Sequence, residues 1–457
     1  MTQAIWRRTH AVVVGGSMAG LLAARVLADH FERVTLIERD VLPDGAEQRR
    51  GVPQGKHTHG LLAAGRNVIE TLFTGIAEEL LAAGAVSGDV LETARWCLEG
   101  GTLARKRSDI GGLLLSRPLL ESTVRRRVRA LSNVTVLDGR RAEDPVLEGS
   151  RVVGVALDGN VLVADLVVDA TGRGSRTPSW LESSGFAAPP EERVEVAVSY
   201  TTRLFERQEA HLGGDEAVVI PPTPAGKRGG VMLVQEGKRW TVTLMSHFSA
   251  KPPEELSGFI EFAKSLPSRD IHEVVSRATP IGDAMCTSFP ASVRRRYERL
   301  ATFPAGFLVV GDGICSFNPI YGQGMSVAAL EATELGRVLS EGDRALARRF
   351  FARAAKVVDI PWSIAVGSDL RLPEATGPRG PGVSFVNWYL EKLHRAAHHD
   401  PELSVAFLRV ANLLAPPPSI MHPRMALRVL RGALGFPAGG AKALAARPAP
   451  ISESAAE

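Results

Sequence analysis

The chain has 457 residues, 45% hydrophobic and 6% aromatic, enough to bury a large core divided into two or three lobes. Its 54 basic and 50 acidic residues leave a formal charge of only +4, and the arginines are interleaved with acids, which argues against a nucleic-acid-binding surface. Three isolated cysteines in apolar segments, Cys97, Cys286 and Cys315, argue against a disulfide framework or a metal knot and suit a reducing, cytoplasmic compartment.

The N-terminal apolar run ends in glycines instead of a cleavage site, and no stretch reaches the roughly 18 apolar residues of a membrane-spanning helix, so neither export nor a spanning segment is expected. Residues 11–14 read as a β run, 18–29 as a helix and 34–37 as a second β run, a βαβ unit. A Gly- and Arg-rich loop at 41–58 leads into a helical stretch at 61–81. Ser116-Arg117-Pro118 opens a helix reaching 131, followed by a strand at 134–137, a hairpin around Leu157-Asp158-Gly159-Asn160 and a β run at 166–169. From about 178 to 301 the alternation of a half-buried antiparallel sheet takes over, with a helix at 253–266. A last apolar run at 307–310 precedes mostly helical sequence to about 434, broken at 372–382 and at Pro416-Pro417-Pro418.

Two stretches carry chemistry. The first is Val12-Val13-Val14-Gly15-Gly16-Ser17-Met18-Ala19-Gly20, with Glu38 closing the second β run. In a dinucleotide site the first glycine allows the tight turn, the second lets backbone approach the pyrophosphate, and the third lets helix and strand pack closely. The helix N-terminus offers amide hydrogens to the phosphates, and an acid such as Glu38 accepts from ribose hydroxyls. Ser17 stands in place of the second glycine.

The second stretch runs from Gly311 to Gly336. It leaves a buried strand through Asp312, then spends Pro319, Gly322 and Gly324 before the Ala-rich helix that Met325 begins. Nothing in it pairs a nucleophile with a base, so it reads as a cradle for a group with its own chemistry.

Together with Asp169-Ala170-Thr171-Gly172-Arg173-Gly174-Ser175-Arg176, these motifs resemble, over residues 10–339, the FAD-dependent monooxygenases with the fold of aromatic-ring hydroxylases and squalene epoxidases. Within them, Pro53-Gln54-Gly55-Lys56-His57 and Phe317-Asn318-Pro319-Ile320-Tyr321-Gly322-Gln323-Gly324-Met325 are similar to actinobacterial epoxidases of polyether biosynthesis. The resemblance implies an α/β fold with a Rossmann-like FAD-binding domain (1–177, return segment 302–340) and an inserted antiparallel-sheet substrate domain (178–301); beyond it the sequence pattern reads as a helical C-terminal region (341–436) and the Ala-, Gly- and Pro-rich composition as a disordered tail (437–457). It assigns Gly15, Ser17, Met18, Ala19, Gly20, Glu38 and Arg39 to the adenosine and pyrophosphate end of FAD, and Asp312 to a ribityl hydroxyl. Gly322, Gln323 and Gly324 lie beside the isoalloxazine, and the helix from Met325 turns its positive end toward N1 and the C2 carbonyl, favouring reduced flavin. Arg117, at a helix start, is either an FAD contact or a surface salt bridge; Arg50 sits near the ribityl chain or a phosphate. His57 and His59 are either active-site residues beside the flavin or ordinary loop histidines. No metal is implied.

The chemistry so implied is flavin-borne, and no protein catalytic residue is named. One oxygen atom of O2 passes through a C4a-hydroperoxyflavin to an apolar small molecule, with the other leaving as water. Epoxidation of an alkene in a polyketide or isoprenoid of secondary metabolism is the first reading. Aromatic-ring hydroxylation is the runner-up, although no base for phenol activation stands out, and a flavin-dependent isoprenoid reductase shares the architecture. Many ring hydroxylases carry Asp-Gly where this chain has Asp169-Ala170, so the electron donor is NAD(P)H used directly or through a partner flavin reductase. Val231, Leu233, Trp240, Val242 and Leu244 are expected as a wall over the flavin and Phe385, Trp388 and Tyr389 as the opposite side, with plain core as the equal alternative. Arg294-Arg295-Arg296 reads as a solvated helix face; Arg424, Arg428 and Arg431 lie on one side of a helix that packs on the body or touches a membrane surface.

Overall fold

The strand His10–Val14 is fully apolar after its first residue and takes the central place in a five-stranded parallel sheet, where both faces are covered. Its neighbours are Leu166–Asp169 and Arg33–Ile37, and the outer strands are Phe307–Val309 and Val134–Leu137. A computed structural model describes residues 8–380 and 382–434 of the chain; the tail expected at 437–457 lies outside them. The helices Met18–Ala28 and Gly324–Ser340 pack together against the sheet. The late strand Phe307–Val309 pairs in parallel with Leu166–Asp169, so the Gly311–Asp312 turn emerges beside residues 170–172. Two motifs more than a hundred residues apart are thus brought to one end of the sheet.

A three-stranded sheet, Ala142–Glu148, Arg151–Leu157 and Asn160–Val163, contains the expected hairpin, whose turn residues Asp158 and Gly159 have φ of 51° and 76°. The larger sheet has eight strands and is built around Glu191–Glu206 and Pro280–Arg295, which run antiparallel with two register shifts. It is not confined to 178–301. Ala94–Leu98 joins it in parallel beside Ala217–Ile220, Gly101–Thr102 follows at the edge, and Cys315–Ser316 pairs at the opposite end. Period-two alternation explains the recruitment: Ala94, Trp96 and Leu98 face the central cavity, while Cys97 joins the core on the far side of the sheet.

Arg294-Arg295-Arg296 corrects the expected helix face. Arg294 and Arg295 end a strand; Arg294 is 1% exposed and pairs with Asp359, while Arg295 and Arg296 pair with Glu191 and Glu192. The C-terminal helices Val383–Ala397, Pro401–Ala411 and Pro423–Ala433 share a core with Leu91, Leu98, Leu103 and Ile110, whereas Leu346–Asp369 buries its apolar face in the main core with the parallel sheet. Arg428 meets both carboxylate oxygens of Asp400, at 2.7 and 2.9 Å, which ties the last helix to the body. No helix of the described residues is long and apolar enough to cross a membrane.

Candidate cofactor and substrate site

A cavity of about 1310 Å³ lies between the parallel sheet, the eight-stranded sheet and the C-terminal helices. Single-ligand pockets are commonly about 300–1,000 Å³, so two occupants fit side by side.

At one end the chain turns out of His10–Val14 at Gly15, whose φ is +110°. A Cβ at Gly15 would lie 2.5 Å from the Ala170 carbonyl oxygen, and one at Gly20 would lie 1.7 Å from that of Gly15. Only glycines allow the helix Met18–Ala28 to sit this close to the turn. Gly15, Ser17, Met18, Ala19, Glu38 and the exposed Arg39 line the cavity; Gly20 is packed behind them. Glu38 first shapes the turn, accepting from the backbone amides of Gly16 at 2.8 Å and Asp40 at 3.0 Å. A carboxylate has about four acceptor sites, which leaves capacity for a ribose hydroxyl.

Arg117 is buried and donates to the Ser17 hydroxyl at 2.9 Å and to Glu121 at 3.0 Å, which excludes the surface salt bridge. Ser116 caps its helix by accepting from the Leu119 amide, and that start is aimed at the dinucleotide turn. Arg50 needs correction. It is exposed and away from the cavity, whereas Arg49 faces inward and reaches Glu121 at 2.7 Å, Glu38 at 3.2 Å and Asp40 at 3.3 Å. Neighbouring residues in an extended loop point opposite ways, and one position in phase decides which arginine enters. Burial pushes the Glu121 carboxyl up, but Arg117 and Arg49 outweigh it and hold Glu121 below its ordinary value. Two guanidiniums and an uncapped helix start face this end, a fit for pyrophosphate.

The other end is built by the return segment. Gly311 has φ +64°, and a Cβ there would come within 2.7 Å of the Ala19 Cβ. The Gly311 amide is held at 2.6 Å by Glu331, whose carboxyl burial pushes up to about 8 and so keeps protonated at neutral pH. Asp312 lines the cavity, and no described residue donates a hydrogen bond to it. Burial raises its pKa, against the pull of Arg117 and Arg173. Gly322 has φ +64°, a Cβ on Gly324 would sit 3.8 Å from Asp312 Oδ1, and the helix Gly324–Ser340 begins with no side-chain cap. Gln323 Oε1 is buried and unpartnered. An orphaned acceptor pair, backbone without side chains and a free helix start suit a polyol chain joined to a flat ring, as in FAD.

The loop holding His57 and His59 is stapled to the eight-stranded sheet. His57 Nδ1 lies 2.8 Å from the Thr202 hydroxyl, the Thr58 amide donates to Thr243 Oγ1 at 3.1 Å, and His59 Nδ1 lies 2.9 Å from the His57 carbonyl. Both imidazoles line the cavity, and burial lowers each to about 4, leaving them neutral at ordinary pH.

Two of the five residues expected as a wall over the flavin take that place. Val231 and Leu233 line the cavity, whereas Trp240, Val242 and Leu244 point through the sheet into a separate core with Phe259 and Ile271. On the helix Val383–Ala397, the cavity face is Val383, Val386, Asn387, Leu390 and His394. Phe385 and Trp388 are instead exposed, and the Tyr389 hydroxyl donates to the Ile420 carbonyl. Sequence reasoning missed a polar cluster at the cavity edge. Asp369 Oδ1 accepts from Asn318 at 2.9 Å and Tyr321 at 2.8 Å, while the Tyr200 hydroxyl donates to Asn318 at 3.0 Å. Burial pushes Asp369 up to about 7 despite these two donors, and its Oδ2 has no partner. Asp169, by contrast, is saturated: the Thr171 amide and the hydroxyls of Thr171, Ser175 and Thr177 all donate to it within 2.8 Å.

A family model of FAD dependent oxidoreductases matches residues 11–176, which include the dinucleotide turn and Asp169. Protein Rv3254 of Mycobacterium tuberculosis is 36% identical over 436 residues, covering 89% of this chain and 90% of that protein. The 6-methylpretetramide 4-monooxygenase of Streptomyces rimosus is 26% identical, covering 87% of this chain and 94% of that enzyme. Among solved structures, the probable FAD-dependent monooxygenase PqsL of Pseudomonas aeruginosa superposes with a TM-score of 0.61 at 16% identity, over 79% of this chain and 98% of that one, a likeness of fold. With a relative aligned along nearly the whole chain and the cofactor turn inside the matched segment, this protein belongs to the FAD-dependent oxidoreductase family and is an enzyme of its monooxygenase type.

Proposed function

We propose that the protein inserts one O2-derived oxygen atom into an apolar small molecule, and that the reaction is epoxidation of an alkene in a polyketide or isoprenoid. The observation that carries this reading is one cavity with an orphaned polar cradle at Asp312 and Gly322–Met325 opposite an apolar wall of Trp96, Val231, Leu233 and Met245. When bound, FAD would supply the redox chemistry, the activation of O2 with electrons that originate in NAD(P)H. The chain's residues bind and orient. Asp312 receives a ribityl hydroxyl, Arg49 and Arg117 offset the pyrophosphate charge, and the start of the helix Gly324–Ser340 steadies negative charge on the ring. Neutral His57 and His59 add hydrogen-bonding capacity without a competing cation, and the wall excludes water. Saturated Asp169 has nothing left for a nicotinamide, which supports electron delivery through a partner flavin reductase.

A second reading, hydroxylation of a phenolic ring, is favoured by Asp369. Tyr321 donates to this carboxylate, so a phenol placed against Tyr321 can pass its proton on while Tyr321 gives its own to Asp369. The test is incubation of FAD-loaded enzyme with NADPH, a flavin reductase and either a polyene or a polyphenolic polyketide under 18O2. One 18O atom per product is expected, as an epoxide in the first reading and a phenol in the second. Anaerobic saturation of a double bond with no 18O uptake contradicts both and selects the isoprenoid reductase.

A further inference from the structure

The cavity continues past the cradle into an apolar extension between the helices Val383–Ala397 and Pro401–Ala411, reaching Pro417–Met421. Two residues in it carry polar side-chain atoms without a protein partner. His394 is 6% exposed, and neither ring nitrogen is hydrogen-bonded. Asn387 donates its amide to the Gly367 carbonyl at 3.1 Å, which fixes its orientation and leaves Oδ1 buried and unmet. Seven residues apart on one helix, the two share a face and stand roughly 10 Å apart along the axis. The Phe407 ring lies 4.6 Å away at 80° and sets the plane of the imidazole.

Buried polar atoms are seldom left without a partner, and the missing partner here is defined by complementarity. Burial drives the His394 imidazole down to about 3, with Arg371 nearby adding to the effect, so the ring is neutral and offers one donor and one acceptor. Arg371 also lines the cavity but is already paired with Glu99 at 2.5 Å, so the extension holds no spare positive charge for a carboxylate. Asn387 Oδ1 accepts only, which excludes an ether or ketone as its partner. A hydroxyl donates and accepts, and satisfies either residue.

We propose that Asn387 and His394 form a distal subsite in which one or the other takes the hydroxyl of an elongated, otherwise apolar substrate, holding that end so that the remainder reaches the cradle at Gly322–Met325. This rests on the reading of the cavity as a substrate site given under the proposed function. The test is equilibrium dialysis of FAD-loaded enzyme against dodecan-1-ol, dodecyl methyl ether and dodecanoate. Wild type is expected to bind the alcohol about tenfold more tightly than the ether or the carboxylate, the effect of one well-made hydrogen bond. At least one of Asn387→Ala and His394→Leu, the one that removes the hydroxyl's partner, should reduce that preference with FAD content unchanged. Equal affinity for alcohol and ether in wild type, or a preference undiminished in both variants, overturns the subsite alone. Absence of binding by all three probes overturns the apolar-substrate reading with it. The wild-type comparison stands without the variants should either fail to fold.

Discussion

Asp312 is a carboxylate in the cavity with no donor of its own, held beside Arg117 and Arg173. Hydrogen bonds to charged groups contribute about 1.5–3 kcal/mol, so Asp312→Ala is expected to weaken FAD binding about 10- to 100-fold in a flavin-fluorescence titration. Its position was readable because an acid directly after a buried strand and ahead of a glycine-rich helix start has few structural uses. Asp369 was not readable: it lies 48 residues from Tyr321 and 51 from Asn318, and only tertiary packing makes them neighbours. Because its carboxyl titrates near 7, turnover of a phenolic substrate should rise with pH through about 7, and Asp369→Asn should remove that limb of the kcat profile. Glu331 acts on stability instead. Its carboxyl, ordinarily near 4.5, is raised to about 8 by burial, so between those values the folded chain holds a proton that the unfolded chain has lost. Stability from this group therefore falls as pH rises from about 4.5 to about 8. Glu331→Gln should flatten that decline, seen as a smaller difference in Tm between pH 5 and pH 8.

Elements were legible where periodicity and punctuation agree. The strands of the parallel sheet are short, mostly apolar runs, and the hairpin at Asp158-Gly159 is announced by its turn residues. Facing was harder. Trp240, Val242 and Leu244 alternate as a cavity wall would, but alternation does not say which side of the sheet faces the ligand, and the bulkier set went to the other core. On the helix Val383–Ala397 the aromatic stripe faces solvent and the mixed stripe with Asn387 and His394 faces the cavity. The close contact between the first helix and its turn yields a test at this scale. Gly20→Ala places a Cβ against the Gly15 carbonyl oxygen and should cost about 1–3 kcal/mol in urea denaturation, with a loss of FAD content in the purified protein.

At the scale of the molecule, the order of motifs carried the fold: a dinucleotide turn, a return strand and a helix start converge because Phe307–Val309 joins the sheet beside Leu166–Asp169. What the order does not reveal is that the eight-stranded sheet borrows Ala94–Leu98 and Cys315–Ser316 from outside its main span, a matter of long-range pairing that short strands do not advertise. The result is a single cavity walled by both sheets and closed by the C-terminal helices. The central claim is that this cavity holds FAD with its ring at the start of the helix Gly324–Ser340. Titration of the purified chain with FAD, followed by flavin fluorescence for wild type and Asp312→Ala, tests it most directly. Saturable binding of one FAD per chain, clearly weakened by the substitution, is the predicted result; no association at saturating FAD, or equal affinity in the two proteins, contradicts it.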